Sequence, residues 1–325
     1  VQLPVSNGYI SRVDNFGEVE NRGIDFNIKS KILEKSDFIW NLNTNFGLNK
    51  NKLNKLNSNL DFQLGPFIGF SQAYPILFKV GQPLGIYWGA QTNGIYANWD
   101  EAIDSGIAGA APGEIKYVNN YVDLDDSGQP LAIQEINFDD YVKIGDPNPD
   151  FTYSISNNFT YKNWDANILF TGQKGGDLFW VDSWQLSGLQ KTTNILSSSY
   201  ANSWIAPLSY ENGNYVYNES IGNLTSANHP GAMIETGSRA ISSDRNIYDG
   251  SFIRLKNINI GYNFDLKNGK NMRVYLAGQN LIVWTDYPGY DPEVRTYTKN
   301  PQKRGVDFGT YPGTRSLLVG LKLNY

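Results

Sequence analysis

The chain has 325 residues, of which 40% are hydrophobic and 14% aromatic, and its formal net charge is −5. It contains no cysteine and one histidine, which excludes disulfides, thiol chemistry and multi-histidine metal sites. The acidic balance argues against nucleic-acid binding, because phosphates require clustered basic residues. No apolar run approaches the roughly 18 residues of a transmembrane helix, and no signal peptide is recognisable after Val1. Abundant Tyr, Phe, Trp and Gly predict a mostly β protein.

Alternating apolar and polar residues predict β-strands along much of the chain. The clearest case is a hairpin in which two alternating runs, Phe151 to Tyr161 and Trp164 to Phe170, meet at Lys162 and Asn163. A weaker pair lies near 74–79 and 85–96. We predict about nine strands of the length that a tilted membrane strand needs, at 24–29, 38–49, 74–79, 85–96, 151–161, 164–171, 257–264, 273–279 and 316–325.

The connections between these strands alternate strictly between short and long. The short ones are predicted at 33–37, 80–84, 162–163 and 265–271, and the long ones at 51–72, 97–149, 172–250 and 285–313. Up-and-down barrels of the outer membrane have this asymmetry, with brief periplasmic turns and extended external loops. A soluble β-sandwich has no reason to place every long loop at one end. The pattern therefore predicts an antiparallel transmembrane β-barrel with long extracellular loops.

Aromatic residues provide a second indication of a membrane. If the short turns are periplasmic, one set of aromatic side chains falls at a single membrane boundary, as an interfacial girdle would: Phe38, Trp40, Phe159, Tyr161, Trp164, Tyr262, Phe264 and Tyr325. On the same reasoning Ile168 faces lipid near mid-membrane and Asn167 faces the lumen. The alternative is aromatic packing between two sheets, because alternation alone fits a sandwich core equally well.

An acidic turn in the second predicted loop resembles part of a calcium-binding loop. Asp123, Asp125, Ser127 and Gly128 match positions one, three, five and six of such a loop, where oxygen ligands alternate and glycine permits a sharp turn. Gln134 stands where the bidentate acid should be. Calcium is therefore a candidate ligand, and an ordinary loop rich in Asx turns is the alternative.

The 172–250 loop is the candidate binding surface, since flat rings among amides and hydroxyls can stack on sugars or on peptide side chains. The alternative is that these rings pack the loop against itself or against the barrel rim. We consider the following residues candidates for contact with a substrate or with a partner protein that covers the loop: Trp180, Trp184, Trp204, Tyr210, Tyr215 and Tyr217. His229 has no partner that spacing identifies, and no pattern of catalytic residues is recognisable, so an enzyme is not predicted.

Several segments, in order along nearly the whole chain, resemble the C-terminal end of SusC/RagA-type TonB-dependent transporters of Bacteroidota. The matching segments are Gly17-Glu-Val-Glu-Asn-Arg-Gly-Ile24, Val80-Gly-Gln-Pro-Leu-Gly85, Gly94-Ile95, Ile144-Gly-Asp-Pro-Asn-Pro-Asp-Phe151, Tyr161-Lys-Asn-Trp164, Ser251-Phe-Ile-Arg-Leu-Lys-Asn257, Gly278-Gln-Asn-Leu281 and Tyr311-Pro312.

The resemblance implies a barrel of about 22 strands, a plug domain inside it and a SusD-like lipoprotein as a lid. Residues 1–325 would then be the C-terminal part of the barrel, with the plug and the earlier strands outside this chain. It further implies TonB-driven import of an oligosaccharide or peptide across the outer membrane, with lipid and the missing strands as neighbours. Two alternatives remain: an outer-membrane structural or secretion subunit that has lost transport, and a soluble carbohydrate-binding module.

Overall fold

The computed structural model describes residues 17–56, 60–68, 74–189, 194–218, 222, 227, 229–231, 241–266, 270–294 and 296–324, with side chains at all of these positions except 188, 189, 215 and 217. Its strands are β1 Gly17–Lys35, β2 Phe38–Leu56, β3 Phe62–Leu64, β4 Ile76–Lys79, β5 Ile86–Gly89, β6 Thr92–Ile95, β7 Ile115–Tyr117, β8 Val142–Gly145, β9 Pro149–Tyr161, β10 Trp164–Gly175, β11 Leu178–Trp180, β12 Leu208–Glu211, β13 Asn214–Tyr217, β14 Ile247–Tyr248, β15 Phe252–Asp265, β16 Asn271–Thr285, β17 Val306–Asp307 and β18 Ser316–Asn324. Its α-helices are α1 Trp99–Asp104 and α2 Ser197–Ala201, and its shorter helical turns are Phe138–Asp140, Gln185–Leu189, Asp244–Asn246 and Pro301–Lys303.

Seven long strands form one antiparallel sheet, which we call the wall. Their order is β1-β2-β9-β10-β15-β16-β18, so each strand pairs with its neighbour along the wall without a crossover. Tight turns at 36–37 and 162–163, and the paired strand ends Asp265 and Asn271, lie at one end of the wall. The strand ends that lead into the long connections 57–148, 176–251 and 286–315 lie at the other. The prediction of an all-β chain with short and long connections in alternation is confirmed.

The weaker predicted pair at 74–79 and 85–96 does not belong to the wall. β4 and β5 instead lie in a separate four-stranded sheet, β3-β4-β5-β8, formed within the first long connection. The described wall thus has seven strands rather than about nine, and the predicted reversal at 80–84 is a turn of that connection. The reason is that Ile76, Leu77 and Phe78 are consecutive, apolar and all at most 3% exposed, so this strand is covered on both faces.

The register of the wall separates an apolar face from a polar face. One row across six strands is apolar throughout: Trp40, Phe159, Ala166, Ile260, Leu276 and Val319. The adjacent row begins with four amides: Asn41, Asn158, Asn167 and Asn259. Leu276 is 52% exposed and Val319 is 77% exposed, so the described residues leave the apolar face uncovered at these positions. A strongly apolar surface of this extent requires lipid or another protein layer.

Side chains on the polar face hydrogen-bond to one another across the strands. Asn167 Nδ2 donates to Asn158 Oδ1 at 2.7 Å. Arg273 on β16 reaches over β15 to Asp165 on β10, with 2.9 Å between Arg273 Nε and Asp165 Oδ1. Gly261 makes this possible, because a Cβ there would lie 2.5 Å from the Arg273 guanidinium. The polar face is therefore a continuous hydrogen-bonded surface, as expected for a barrel interior.

The predicted aromatic girdle gathers at the end of the wall that carries the tight turns. Trp164 and Tyr262 pack edge to face with ring centroids 4.9 Å apart, and Trp40 and Phe159 stack at 5.7 Å. Tyr325 lies outside the described residues, so its predicted place in the girdle stays a prediction. Clustering of rings at one end matches an interfacial position.

The turn at Lys162 contains local backbone strain and gives a first testable prediction. Lys162 has a φ of 51°, as the first central residue of a type II′ turn does, and glycine is preferred at that position. We expect Lys162→Gly to stabilise the hairpin by about 0.5 to 1 kcal/mol, since the relief of strain exceeds the added chain entropy. Asn163→Gly is the matched control and should destabilise, because it removes the 2.8 Å hydrogen bond from Asn163 Nδ2 to the Asn263 carbonyl. Urea titration of the full-length protein in lipid vesicles measures the free energy of unfolding of both variants. Equal effects of the two substitutions would contradict the assignment of backbone strain to Lys162.

Candidate functional site

The densest apolar packing lies outside the wall, in the three long connections, whose described residues we call the cap. Its main core joins all three connections to the end of β2: Leu53, Leu56, Ile68, Ile76, Phe78, Tyr87, Phe179, Val181, Trp184 and Val306. β11 pairs with β14 from its own connection and, in parallel, with β17 from the third connection. The three connections therefore fold together as one body above the loop end of the wall.

Two of the sequence segments noted above meet where β2 enters the cap. Leu84 N–H donates to Asn51 Oδ1 at 2.6 Å, and Asn51 Nδ2 donates to Asn148 Oδ1 at 2.9 Å. Asp146 N–H then donates to Asp177 Oδ2 at 2.7 Å, which continues the network into the second long connection. Segments 80–85 and 144–151 thus hold the cap to the rim of the wall.

A second anchor joins the third long connection to β15. Arg254 is 3% exposed, and its Nη2 lies 2.5 Å from Asp291 Oδ1. Arg254 Nε lies 2.9 Å from Glu293 Oε2 without hydrogen-bond alignment, so this contact is an ion pair only. Asp291 Oδ2 also accepts from Gly313 N–H at 3.2 Å. Segment 251–257 therefore carries a buried charge cluster that fixes the loop leading into β18.

Sequence reasoning did not single out the polar residues of these two anchors as a site. Their signal was present, because each segment places an amide or a charged residue in or next to a strand, as Asn280 does within β16. Asn280 has a φ of 51°, which asparagine tolerates better than most residues, and its Nδ2 donates to the Thr314 carbonyl at 3.2 Å. What the sequence lacked was the partner, which lies tens of residues away in the chain.

Two of the candidate contact rings are buried in the cap. Trp180 is 5% exposed and packs edge to face on Tyr248 and Tyr287. Trp184 is 4% exposed and packs on Phe179 with ring centroids 5.6 Å apart. Both rings therefore act as packing residues of the cap, which fits the alternative that the loop packs against itself. Their role in substrate or lid contact stays a prediction.

The remaining candidate rings lie in a different part of the second long connection. The Trp204 side chain is half-buried, and the backbone N–H of Trp204 donates to the His229 carbonyl at 2.9 Å. Tyr210 is 68% exposed on the β12–β13 hairpin, directly opposite Tyr215. Tyr217 pairs with Leu208 at the open end of the same hairpin. The role of these four residues in substrate or lid contact stays a prediction.

A cavity of about 310 Å³ lies between the first and second long connections. It is lined by aromatic and hydrogen-bonding groups, among them Tyr117, Trp184, His229, Arg245 and Tyr248. Burial lowers the pKa of His229, and the positive charge of Arg245 lowers it further, so this histidine is neutral at pH 7. The volume matches the lower range of small-ligand pockets.

Asp182 gives a prediction about pH dependence. Its Oδ2 accepts from Gly309 N–H at 2.8 Å and so joins the second and third connections. Burial raises the pKa of Asp182, and the negative charge of Asp307 raises it further, while the Gly309 bond opposes the shift. The stabilising contribution of Asp182 is therefore full below the unfolded pKa near 4 and is lost as pH rises through the higher folded pKa.

We therefore expect Asp182→Asn to raise the unfolding temperature of the cap at pH 7 and to change it little near pH 3.5. The amide oxygen of Asn can still accept the Gly309 hydrogen bond. Asp126→Asn, at an exposed turn position, is the matched control. Thermal unfolding of the full-length protein across this pH range measures the difference in unfolding temperature between each variant and the unchanged protein. A stabilisation by Asp182→Asn that is largest at acid pH would contradict the prediction.

The predicted calcium turn forms an ordinary hydrogen-bonded loop. Asp125 Oδ1 accepts from the N–H groups of Ser127 and Gln129 at 2.8 and 2.9 Å, and Asp123 Oδ2 accepts from Glu135 N–H at 3.0 Å. Among the described residues, no three His, Asp or Glu side chains are grouped closely enough to hold a metal ion. Calcium at Asp123, Asp125 and Ser127 stays a prediction, which titration of the full-length protein with Ca²⁺ checks.

The part of the chain covered by the structure contains no helix that is both long and apolar enough to cross a membrane.

Comparison with known proteins gives relatives along the whole chain, although no protein-family model matches it. TonB-dependent receptor P3 of Formosa agariphila is 34% identical over 336 residues, which cover 99% of this chain and 30% of that protein. TonB-dependent receptor SusC of Bacteroides thetaiotaomicron is 24% identical over 347 residues, which cover 100% of this chain and 28% of that protein. The solved structure of the RagAB peptide transporter superposes with a TM-score of 0.72 at 19% identity, over 99% of this chain and 31% of that one.

The chain therefore spans less than a third of the length of the proteins it matches. The wall is a portion of an antiparallel transmembrane β-barrel, which accounts for its exposed apolar face and for its two edge strands, β1 and β18, each of which pairs on one side only among the described residues. Because the match to these receptors extends over the whole of this chain and the fold is that of a barrel wall, the chain belongs to the SusC/RagA-type TonB-dependent transporters.

Proposed function

We propose that residues 1–325 form the C-terminal part of the barrel of an outer-membrane importer that takes up an oligosaccharide or a peptide. The plug domain, the earlier strands and the contact with TonB would belong to the rest of the polypeptide. The observation that carries the proposal is the geometry of the wall: lipid-compatible on one face, lined by amides on the other, and capped at the loop end. The chain would perform no covalent chemistry, since its task is to bind and pass a solute.

The polar face suits passage of a neutral, hydrogen-bonding solute. Asn158, Asn167 and Asn259 present amides, which both donate and accept. The Asp165 and Arg273 charges neutralise each other on the same face. A solute moving along such a wall replaces its hydrogen bonds to water with hydrogen bonds to amides. Because the net free energy of that exchange is small, the solute binds weakly enough to be released. Sugars and peptides both have the required hydroxyl or amide groups.

A SusD-like lipoprotein is the proposed lid over the cap, and TonB is the proposed source of force on the plug. The relation to SusC and RagAB supports both partners. Within the cap, Trp204, Tyr210, Tyr215 and Tyr217 are the proposed contacts with substrate or lid, because the Tyr210 ring is largely exposed and the other two tyrosines lie on the same hairpin.

The test uses the full-length transporter in its own host, with uptake of fluorescent oligosaccharides and fluorescent peptides measured separately. We expect uptake of one class, lost on deletion of TonB. The double variant Trp204→Ala/Tyr210→Ala should raise the half-saturating concentration about tenfold, from about 1.4 kcal/mol of lost ring contact. Tyr311→Ala, which removes a ring that is 91% exposed in the third connection, is the control.

Heat-modifiable migration of the barrel on gels confirms folding of each variant. Uptake that continues without TonB, or no uptake of either class, would contradict import and favour a structural or secretion subunit. Unchanged half-saturation in the double variant would leave import standing but remove the aromatic contact assignment.

A further inference from the structure

One segment of the cap concentrates the negative charge of the chain. Residues 97–140, which we call the acidic arm, contain ten Asp and Glu residues and a single basic residue, Lys116. Lys116 is paired with Glu101, so its charge is already compensated. Outside the arm, basic residues outnumber acidic ones. The net charge of the chain therefore originates in this arm.

The arm also exposes large apolar side chains. Trp99 is 62% exposed and Ile103 is 70% exposed, and their spacing of four residues places them on one face of α1. Asp100 and Asp104 are exposed beside them, while Ala102 faces inward. Further exposed apolar residues of the arm are Tyr121, Val122, Leu124, Leu131 and Ile133. Apolar side chains bordered by charge are typical of protein contact surfaces.

The arm is held in shape by its own hydrogen bonds. Asn98 caps α1 by accepting from Glu101 N–H at 2.9 Å. Gln134 N–H donates to the Gly106 carbonyl at 2.8 Å, which places the stretch containing Ile133 beside the end of α1. Asp140 is fully buried, and its Oδ1 accepts from the N–H groups of Asn120 and Tyr121 at 2.8 and 2.9 Å. The exposed rings and carboxylates therefore sit on a preorganised surface, which lowers the entropic cost of binding.

The negative charge and the exposed apolar side chains of the acidic arm limit which kinds of molecule can bind to it. A second copy of the chain would bring the same carboxylates face to face, which is unfavourable in a symmetric contact. Anionic lipid headgroups would be repelled for the same reason. A small ligand would leave the apolar residues in water. A protein with positive charges around apolar pockets satisfies both features of the arm.

We propose that the acidic arm is the docking surface for a separate protein whose contact face is basic, with Trp99 and Ile103 inserted into apolar pockets of that partner. The proposal rests on the charge and exposure of the arm. It concerns the arm only and does not depend on which solute is imported. If the partner is the lid lipoprotein, the same proposal specifies how the lid is recognised.

The test places the photo-crosslinking residue p-benzoylphenylalanine at position 103 of the full-length protein in its native host. The control position is 290, because Tyr290 is 75% exposed in another part of the cap. We expect ultraviolet light to produce an adduct with a second protein from position 103 and not from position 290. Mass spectrometry of the joined peptide should show a lysine- or arginine-rich sequence in the partner.

Charge reversal supplies the second measurement. Asp100→Lys/Asp104→Lys should reduce the adduct at least about tenfold, and raising NaCl from about 0.05 to about 0.5 M should reduce it in the wild type as well. Asp100→Asn/Asp104→Asn should give an intermediate loss, and the heat-modifiable barrel band controls for folding. Support requires both a basic partner peptide and sensitivity to charge reversal.

Each other result overturns the inference: no adduct, equal adducts at both positions, or an adduct with the same polypeptide or with a second copy. A partner peptide without basic residues, or an adduct indifferent to charge reversal, overturns it as well. TonB-dependent uptake is measured in the same strains. Loss of the adduct with normal uptake refutes only the docking surface, whereas a charge-dependent adduct without uptake refutes only import.

Discussion

Ile168→Lys should destabilise the folded barrel in lipid by about 2 to 4 kcal/mol, the cost of a cation near the middle of a bilayer. Ile168 lies on the apolar face of β10, directly opposite Ile258 on β15 and four residues from the ring of Trp164 at the tight-turn end. Its other cross-strand neighbour is Asn157, so there is no acidic side chain beside it to pair with an introduced lysine. The charge would have to remain in hydrocarbon or distort the strand to reach water.

Asn167→Lys is the matched control, because it adds the same charge one residue away on the opposite face. Asn167 faces Asn158 and loses the 2.7 Å hydrogen bond to it, so we expect a cost below about 1.5 kcal/mol. Urea titration of the full-length barrel in lipid vesicles measures both variants. Equal costs at the two positions would mean that the faces of the wall are wrongly assigned.

Arg254→Met should open the third long connection, at a cost of about 3 to 5 kcal/mol, because it leaves a buried carboxylate without its counter-charge. Arg254 is 3% exposed and the side chain of Asp291 is 8% exposed, so water cannot replace the lost partner without local unfolding. Amide hydrogen exchange of residues 291–313 in the full-length protein measures how often this connection opens. We expect protection there to fall at least about a hundredfold, the equivalent of 2.7 kcal/mol or more.

Two further variants distinguish the effect of leaving a buried carboxylate unpaired from the effect of removing any ion pair. Lys174→Ala removes the pair between Lys174 Nζ and Asp249 Oδ2, which are 3.2 Å apart on side chains 56% and 47% exposed, and should cost less than about 1 kcal/mol. Arg254→Met/Asp291→Leu replaces both buried charges and should recover much of the protection. If the double variant exchanges as fast as Arg254→Met alone, the cluster is not the element that holds the loop.

The wall strands could be read from the sequence because their signal is local. A strand in a barrel presents one residue to lipid and the next to the lumen, so the alternation at Phe159 and Asn158 is visible without knowing any neighbour. The tight turn at Lys162 is equally local. Asn157 is the exception on β9, since it lies on the apolar face, and only the register shows that Trp40 Nε1 donates to its Oδ1 at 3.1 Å.

Other features depended on contacts between distant parts of the chain. The run from Ile76 to Phe78 has no alternation, so nothing local distinguishes a strand of the cap from a strand of the wall. Trp180 and Tyr210 look alike in the sequence as loop aromatics. Trp180 is buried because β14 and β17 flank its strand, whereas Tyr210 is exposed on a hairpin that pairs with no third strand among the described residues. Burial of a loop side chain is decided by which other loops fold onto it, and that information is absent from its own neighbourhood in the sequence.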